Sequence, residues 1–266
     1  MFCLVCSPPA KKESEFLRCK YFMRAESLFH FTKRMDSLKA ILADESFLAH
    51  DCLEDVSWIR SRKQHISFAA TCFCDIPLSK ISRHIEFYGS YGLGLTKSWG
   101  TANGLNPVLY LNTKSPLKFC LRTLFEHADR EYEAVGSDAY LKAIELAAYV
   151  KPYEGVLKKD GVEIQKRFYD ESEWRYVPHG NYGNTDHLDQ SIEHPTTSAM
   201  DKSGSKKFRH RLKFSQADVK YIFVPTSNDV GEMLSHLQTI HSGLPQSDLA
   251  LLATKIVTLD EIRQDI

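Results

Sequence analysis

The chain has 266 residues, 43% of them hydrophobic, and its 34 basic side chains balance its 34 acidic ones. That composition describes an ordinary globular protein with material for one large core, and the charge balance excludes a global field pulling it toward nucleic acid or a lipid surface. No apolar run approaches the roughly 18 residues of a membrane span, and "MFCLVC" is too short for a signal peptide and has no basic stretch before it, so the expectation is a cytoplasmic protein without membrane contact.

The seven cysteines are an odd number at irregular spacing, which reads as reduced thiols and not as a disulfide framework. Cys3 and Cys6 form C-x-x-C, but no second pair follows at zinc-finger spacing and no metal is assigned. Residues 1–22, with "SPPAKKESE" inside them, read as a flexible tail. Met23 is an alternative start, because regular patterning begins just after it. Residues 23–266 read as a single domain.

In chain order, "SLFHFT" predicts a strand and "MDSLKAIL" a helix capped by Asp36, with Leu38, Ile41 and Leu42 along one face. "ISFAATCFCDI" is a strongly apolar strand, and Pro77 opens a helix through "PLSKISRHIEFYG". "YGLGLT" and "NPVLYL" are two further strands, the first loosened by Gly92 and Gly94. A helical insertion runs over about 115–150, divided near Gly136 and Ser137. "GVEIQKRFYDESEWRYV" supplies one or two strands, and the polar stretch at about 179–207 reads as a flexible loop. The chain closes with the strand "VKYIFVP", an amphipathic helix near "DVGEMLSHLQTI", the strand "KIVTL" and a short helix. Strands on both sides of a helical insertion, without a regular βαβ rhythm, predict an α+β fold with a mixed sheet. "YGSYGLGLTKSWG" lacks G-x-G-x-x-G and leads into a strand, there is no P-loop and no G-x-S-x-G elbow, and these nucleotide and hydrolase classes drop out.

The stretch with the most chemistry is "RFYDESEWRYVP" (Arg167–Pro178), three acids in four residues directly before aromatic ones. In extended backbone, Glu171, Glu173 and Arg175 share one face while Ser172, Trp174 and Tyr176 share the other. One face anchors in the core and the other presents carboxylates.

"CFCDIPLS", "YGSYGLGL" and "ESEWRYVP", in that order, together with "LFHFTKRMDSLKAIL" and "NPVLYL", resemble the AbiGi family of bacterial abortive-infection proteins. The likeness runs from about Leu28 to near the C-terminus, with residues 1–22 and the 179–207 loop outside it. That resemblance implies a role in antiviral defence as the antitoxin component of a two-gene toxin–antitoxin system, with a cognate toxin encoded by an adjacent gene as partner. A more distant resemblance is to ADP-ribosyltransferase-like domains. There an early strand carries a His near a Ser or Thr, a later Tyr stacks on nicotinamide and a late strand carries the key Glu. It implies an ADP-ribosyltransferase-like mixed sheet, NAD as cofactor bound by His30, Thr32, Tyr88 and Tyr91, and Glu173 with Glu171 as catalytic carboxylates. Phe31 departs from the Gly that follows the His in many of those proteins.

Cleavage of a nicotinamide–ribose bond develops oxocarbenium charge that a fixed carboxylate stabilises. On that reading Glu173→Gln lowers NAD turnover by several orders of magnitude with little change in melting temperature. Simpler readings stand beside it. Glu173 with Arg175 reads from the pattern alone as a same-face ion pair. His30, between two phenylalanines, reads as a core histidine with a hydrogen-bonded ring, and Tyr88 and Tyr91 read as core aromatics. "KSGSKKFRHRLK" (Lys202–Lys213) is a solvated loop edge, or a patch that grips the phosphates of nucleic acid. Two functions remain open, an antitoxin that acts by binding and an NAD-dependent transferase. A metal-dependent nuclease needs a cluster of acids and histidines that the sequence does not assemble.

Overall fold

Strand β1 (Ser27–Thr32) forms where aromatic and apolar residues alternate, and the computed structural model describes it and the rest of residues 26–60, 65–135, 138–159, 161–178 and 210–265. After β1 come α1 (Met35–Asp44), β2 (Ser46–Leu48), β3 (His50–Asp55) and the long strand β4 (His65–Cys74). A 3₁₀ turn (Leu78–Lys80) leads into α2 (Ile81–Tyr88), followed by β5 (Tyr91–Thr96), α3 (Lys97–Ala102), β6 (Asn106–Pro107) and β7 (Leu109–Leu111). Helices α4 (Pro116–Val135) and α5 (Asp138–Ala147) occupy the region expected to be helical. Next are β8 (Val150–Pro152), β9 (Gly155–Lys159), β10 (Val162–Lys166), a second 3₁₀ turn (Phe168–Glu171) and β11 (Glu173–Tyr176). The chain ends with β12 (Arg211–Lys213), β13 (Val219–Val224), α6 (Asn228–Ile240), α7 (Gln246–Ala253), β14 (Ile256–Thr258) and α8 (Leu259–Asp265).

The fold is α+β around a mixed eight-stranded sheet in the order β14-β13-β5-β1-β4-β11-β6, with β3 also paired to β4. Only β13 and β14 run parallel; the other pairs in this sheet are antiparallel. Registers Phe29↔Cys74, His30↔Leu93 and Trp174↔Phe73 assign the faces, because directly opposed residues project to the same side. Leu28, Leu93, Leu95 and Phe73 form one core with Leu38 and Leu42 of α1, Trp99 of α3 and Met233 and Leu237 of α6. The opposite face carries two apolar cores. Phe29, Phe31, Cys74 and Phe223 pack on Ile81 and Ile85 of α2 and on α8, while Ile66, Phe68 and Ala70 pack on Leu121 and Phe125 of α4 and Tyr140 and Ile144 of α5. Each fully buried side chain of this size contributes about 1.5–3 kcal/mol, so these faces hold the helices where the sequence pattern alone would not.

Three local expectations change. Asp36 does not cap α1: the N-cap is Arg34 in extended backbone, and Asp36 sits inside the first turn, bonded to the Arg34 guanidinium at 3.0 Å. There its charge still faces the unpaired N–H groups of the helix start. Gly92 and Gly94 do not loosen β5, which pairs with β1 along six residues. A Cβ on Gly92 would meet the Phe31 ring at 2.5 Å, and one on Gly94 would meet Tyr221 at 2.9 Å, so these glycines make room for aromatic rings crossing the strand. "NPVLYL" is also two pieces, β6 pairing with β11 and β7 pairing with β8 in a separate small sheet.

The expected tail at 1–22, the loop at 179–207 and most of the Lys202–Lys213 patch lie outside the described residues. Among the described residues no helix is long and apolar enough to cross a membrane, and no His, Cys, Asp and Glu trio is placed to hold a metal ion.

Candidate functional site

The carboxylates of "YDESEW" face the side of the sheet that carries Cys74, between the two apolar cores described there. The 3₁₀ turn ends at Glu171, and Ser172 adopts φ 43°, a left-handed conformation that L residues other than Gly rarely take, before the chain re-enters extended backbone at Glu173. The reversal is held by the Ser172 N–H donating to Tyr169 O at 3.2 Å and by Ser172 O accepting from the Asp75 N–H at 3.0 Å. The result brings both acids to one cation: Lys151 Nζ lies 2.7 Å from Glu173 Oε2 and 3.4 Å from Glu171 Oε2.

Around Lys151 the cluster closes on itself. Glu173, 7% exposed, accepts from Arg175 Nε at 2.7 Å on Oε1 and from Arg175 Nη2 at 3.3 Å on Oε2. Arg175 is fully buried; it also pairs with Glu54, donates to Ala148 O at 2.5 Å and lies 5.4 Å over the Phe68 ring. Glu171 accepts from the Tyr88 hydroxyl and pairs with Lys166 Nζ at 2.6 Å, and Lys166 in turn lies over the rings of Phe87 and Tyr88 at 4.4 and 4.9 Å. The Tyr110 hydroxyl accepts from the Glu173 backbone N–H at 2.9 Å. Three carboxylates (Glu54, Glu171, Glu173) therefore face three cations (Lys151, Lys166, Arg175) in a neutral network.

The electrostatics follow from this geometry. Burial disfavours the ionised Glu173, but Arg175 and Lys151 outweigh it and hold its pKa at about 2. Burial opposes ionisation of Glu171 as well, and Lys151 and Lys166 still hold it below the usual carboxylate range. Burial works against the Lys151 charge, yet Glu173, Glu54 and Glu171 raise its pKa well above that of an ordinary lysine. Burial and the neighbouring Glu171 push the Tyr88 phenol up, which keeps it a donor to that carboxylate. His84, stacked on Tyr88 at 4.4 Å, is pushed down to about 4 mainly by burial and is a neutral ring at physiological pH.

Beside the network lies a cleft of about 900 Å³, walled on one side by the Leu78–Lys80 turn and α2 and on the other by the end of β10 and the Phe168–Glu171 turn. Glu171, Lys166, Tyr88 and His84 reach it.

The residues expected to form one site divide between the two faces of the sheet. Glu171, Glu173 and Tyr88 come together. His30, Thr32 and Tyr91 do not join them: His30 pairs with Leu93 and Thr32 with Tyr91, on the face opposite Cys74 and Glu173. His30 is the core histidine of the simpler reading, its Nδ1 2.9 Å from Cys72 O and its ring against Phe47 and Phe73, with burial lowering its pKa. Tyr91 donates to Asp229 at 3.2 Å on that far side. The expected convergence of His30 with Glu173 is thus corrected by the strand register, which places two residues with odd and even offsets from the shared Phe29↔Cys74 pair on opposite faces. Glu54, Lys151, Lys166 and Tyr110 were not singled out from the sequence. They come from β3, β8, β10 and β7, and no short spacing links them to Glu173.

Fold and site define a mixed-sheet α+β protein whose one face encloses a neutral ionic cluster next to an open cleft. The profile of the family described as "Putative abortive phage resistance protein AbiGi, antitoxin" matches residues 45–225. The chain is also 30% identical over 247 residues to "Abortive phage resistance protein AbiGi" of Lactococcus lactis subsp. cremoris, an alignment covering 83% of this chain and 99% of that one. The chain belongs to the AbiGi family of abortive phage resistance proteins. "CFCDIPLS", "YGSYGLGL" and "ESEWRYVP" all fall within the matched span, which begins later than Leu28 and runs through residues 179–207. No solved structure matches the chain.

Proposed function

We propose that this chain is the antitoxin-type member of a two-gene abortive-infection pair in the cytoplasm, and that it neutralises a toxin encoded beside it by binding. The family description supplies the antitoxin role. The observation that favours binding over chemistry is the engagement of both Glu173 oxygens by Arg175 and Lys151. A carboxylate that stabilises an oxocarbenium ion must offer a lone pair to the ligand, whereas this one is committed to cations of its own chain. The alternative, an NAD-dependent ADP-ribosyltransferase on a fold of that kind, also needs a ribose partner and an aromatic ring to hold nicotinamide near Glu173; Tyr88 lies on that face, but its hydroxyl is given to Glu171. His30, Thr32 and Tyr91 occupy the far face.

Titration of the purified toxin with the purified chain separates the two. A binder gives full neutralisation near one equivalent, a complex that co-elutes on gel filtration, and no dependence on NAD. Neutralisation by a small fraction of an equivalent, a requirement for NAD with release of nicotinamide, or neutralisation without a complex overturns the binding reading.

A further inference from the structure

The cleft beside the ionic cluster has a charge distribution that the cluster does not explain. Lys80 and Arg83 line it from the 3₁₀ turn and α2, and Lys166 and Arg167 line it from β10 and the following residue. Three acids also line it, but two are already neutralised: Glu171 by Lys166 and Lys151, and Asp75 by Lys97, whose Nζ lies 2.8 Å from both carboxylate oxygens. Lys80, Arg83 and Arg167 then face Asp170, with Glu154 beside Arg83 and Arg167 in the adjoining hollow, which leaves an excess of positive charge. Among the described residues Lys80 and Arg83 make no side-chain hydrogen bond or ion pair, and Arg167 has only a loose contact, 5.9 Å over the Tyr153 ring. Two arginines from different elements in one concavity offer forked donors that a single anion can bridge.

The same cleft offers a ring surface. Tyr169 lines it while 53% exposed, and its orientation is fixed by stacking on Tyr153 at 5.2 Å and by an edge contact with Tyr110. A pre-oriented, exposed aromatic beside two solvent-facing guanidinium groups suits a ligand with a flat ring and phosphate oxygens. The volume of about 900 Å³ is in the range of small-ligand sites. His84 adds a neutral ring with hydrogen-bonding nitrogens to the wall.

We infer that this cleft binds a nucleoside phosphate, with Arg83 and Arg167 on the phosphate groups, Lys80 as a supporting cation and Tyr169 against the base. The inference rests on the cleft alone and holds with or without toxin binding.

Calorimetric titration of the purified full chain at about 0.15 M salt with ADP, ATP and UTP, beside adenosine and tripolyphosphate, tests it. At least one of the nucleotides should bind saturably at one site, and adenosine and tripolyphosphate should each bind at least about tenfold more weakly than it. Arg83→Gln and Arg167→Gln should each weaken the nucleotide by about tenfold or more, as expected for loss of a charged hydrogen-bond donor, with melting temperatures unchanged. Tyr169→Leu should weaken nucleotide but leave tripolyphosphate as it was. Absence of saturable nucleotide binding overturns the inference, as does equal affinity in both arginine variants. Tripolyphosphate bound as tightly as nucleotide removes the base from the reading. Tighter binding of a short oligoribonucleotide by more than about tenfold makes the cleft an RNA surface instead.

Discussion

Glu173→Gln removes one negative charge and leaves Arg175 and Lys151 in place, so the cluster passes from neutral to a net positive charge in a buried setting. Its magnitude can be worked in two ways. A carboxylate held at about 2 against an ordinary 4.5 is stabilised in its ionised form by the gap between them, which at about 1.4 kcal/mol per pH unit amounts to about 3 kcal/mol. Removing one partner of a buried ion pair costs about 3–5 kcal/mol by general experience. The two agree, and the variant should lose about 3 kcal/mol, read as a lower urea midpoint at an unchanged slope. The sign in pH follows. The unfolded Glu takes its proton near 4.5 and the folded one only near 2, so wild-type stability is fully present above the first value and is lost as pH falls toward the second. Glu173→Gln should lack that acid loss. Replacing Lys151 with Met in the same chain restores neutrality and should recover part of the deficit. An unfolding free energy for Glu173→Gln within about 0.5 kcal/mol of wild type, or a Glu173→Gln/Lys151→Met variant no better than the single one, would refute the reading of a charge-balanced buried cluster.

His84 takes its proton near 6.5 in the unfolded chain and at about 4 when folded, so stability should also fall between those values; His84→Gln should flatten that part of the profile by roughly 1–2 kcal/mol, allowing for partial exposure, as followed by melts across pH. Gly89 has φ +111° and an added Cβ would stand 2.3 Å from Thr32 O, so Gly89→Ala should destabilise by at least about 2 kcal/mol in urea unfolding; a neutral result would move the α2–β5 turn. Trp174→Ala removes a ring packed on the α1–α6 side of the sheet and should cost about 3 kcal/mol, without altering nucleotide titrations at the cleft across the sheet.

What the sequence made legible is what depends on neighbours along the chain. Strands β1, β5 and β13 are short runs rich in aromatic and aliphatic residues and appear where expected, and the opposite projection of Glu173 and Trp174 follows from backbone alternation at β11. β3 carries little strand signal in the sequence, because "HDCLED" is polar and its stability comes from pairing with six residues of β4. The site was half legible. Glu171, Glu173 and Arg175 stand out by spacing, but their partners are set by which elements converge on that face, and burial turns an apparent surface ion pair into a neutral core of charges. The ADP-ribosyltransferase resemblance groups His30 with Glu173; their placement on opposite faces depends on the register of β1 and β11 against β4, which no local pattern contains.

The neutral cluster also constrains how related sequences can diverge. Its six charges come from five separate elements, β3, β8, β10, the 3₁₀ turn and β11, and they cancel only as a set. A single replacement at any of these positions strands an opposite charge away from water, while a paired replacement that removes one of each sign does not. Positions 166 and 171, and positions 173 and 175, should therefore drift as couples: a relative with an uncharged residue at one should carry an uncharged residue at the other, even though its surface charges vary independently.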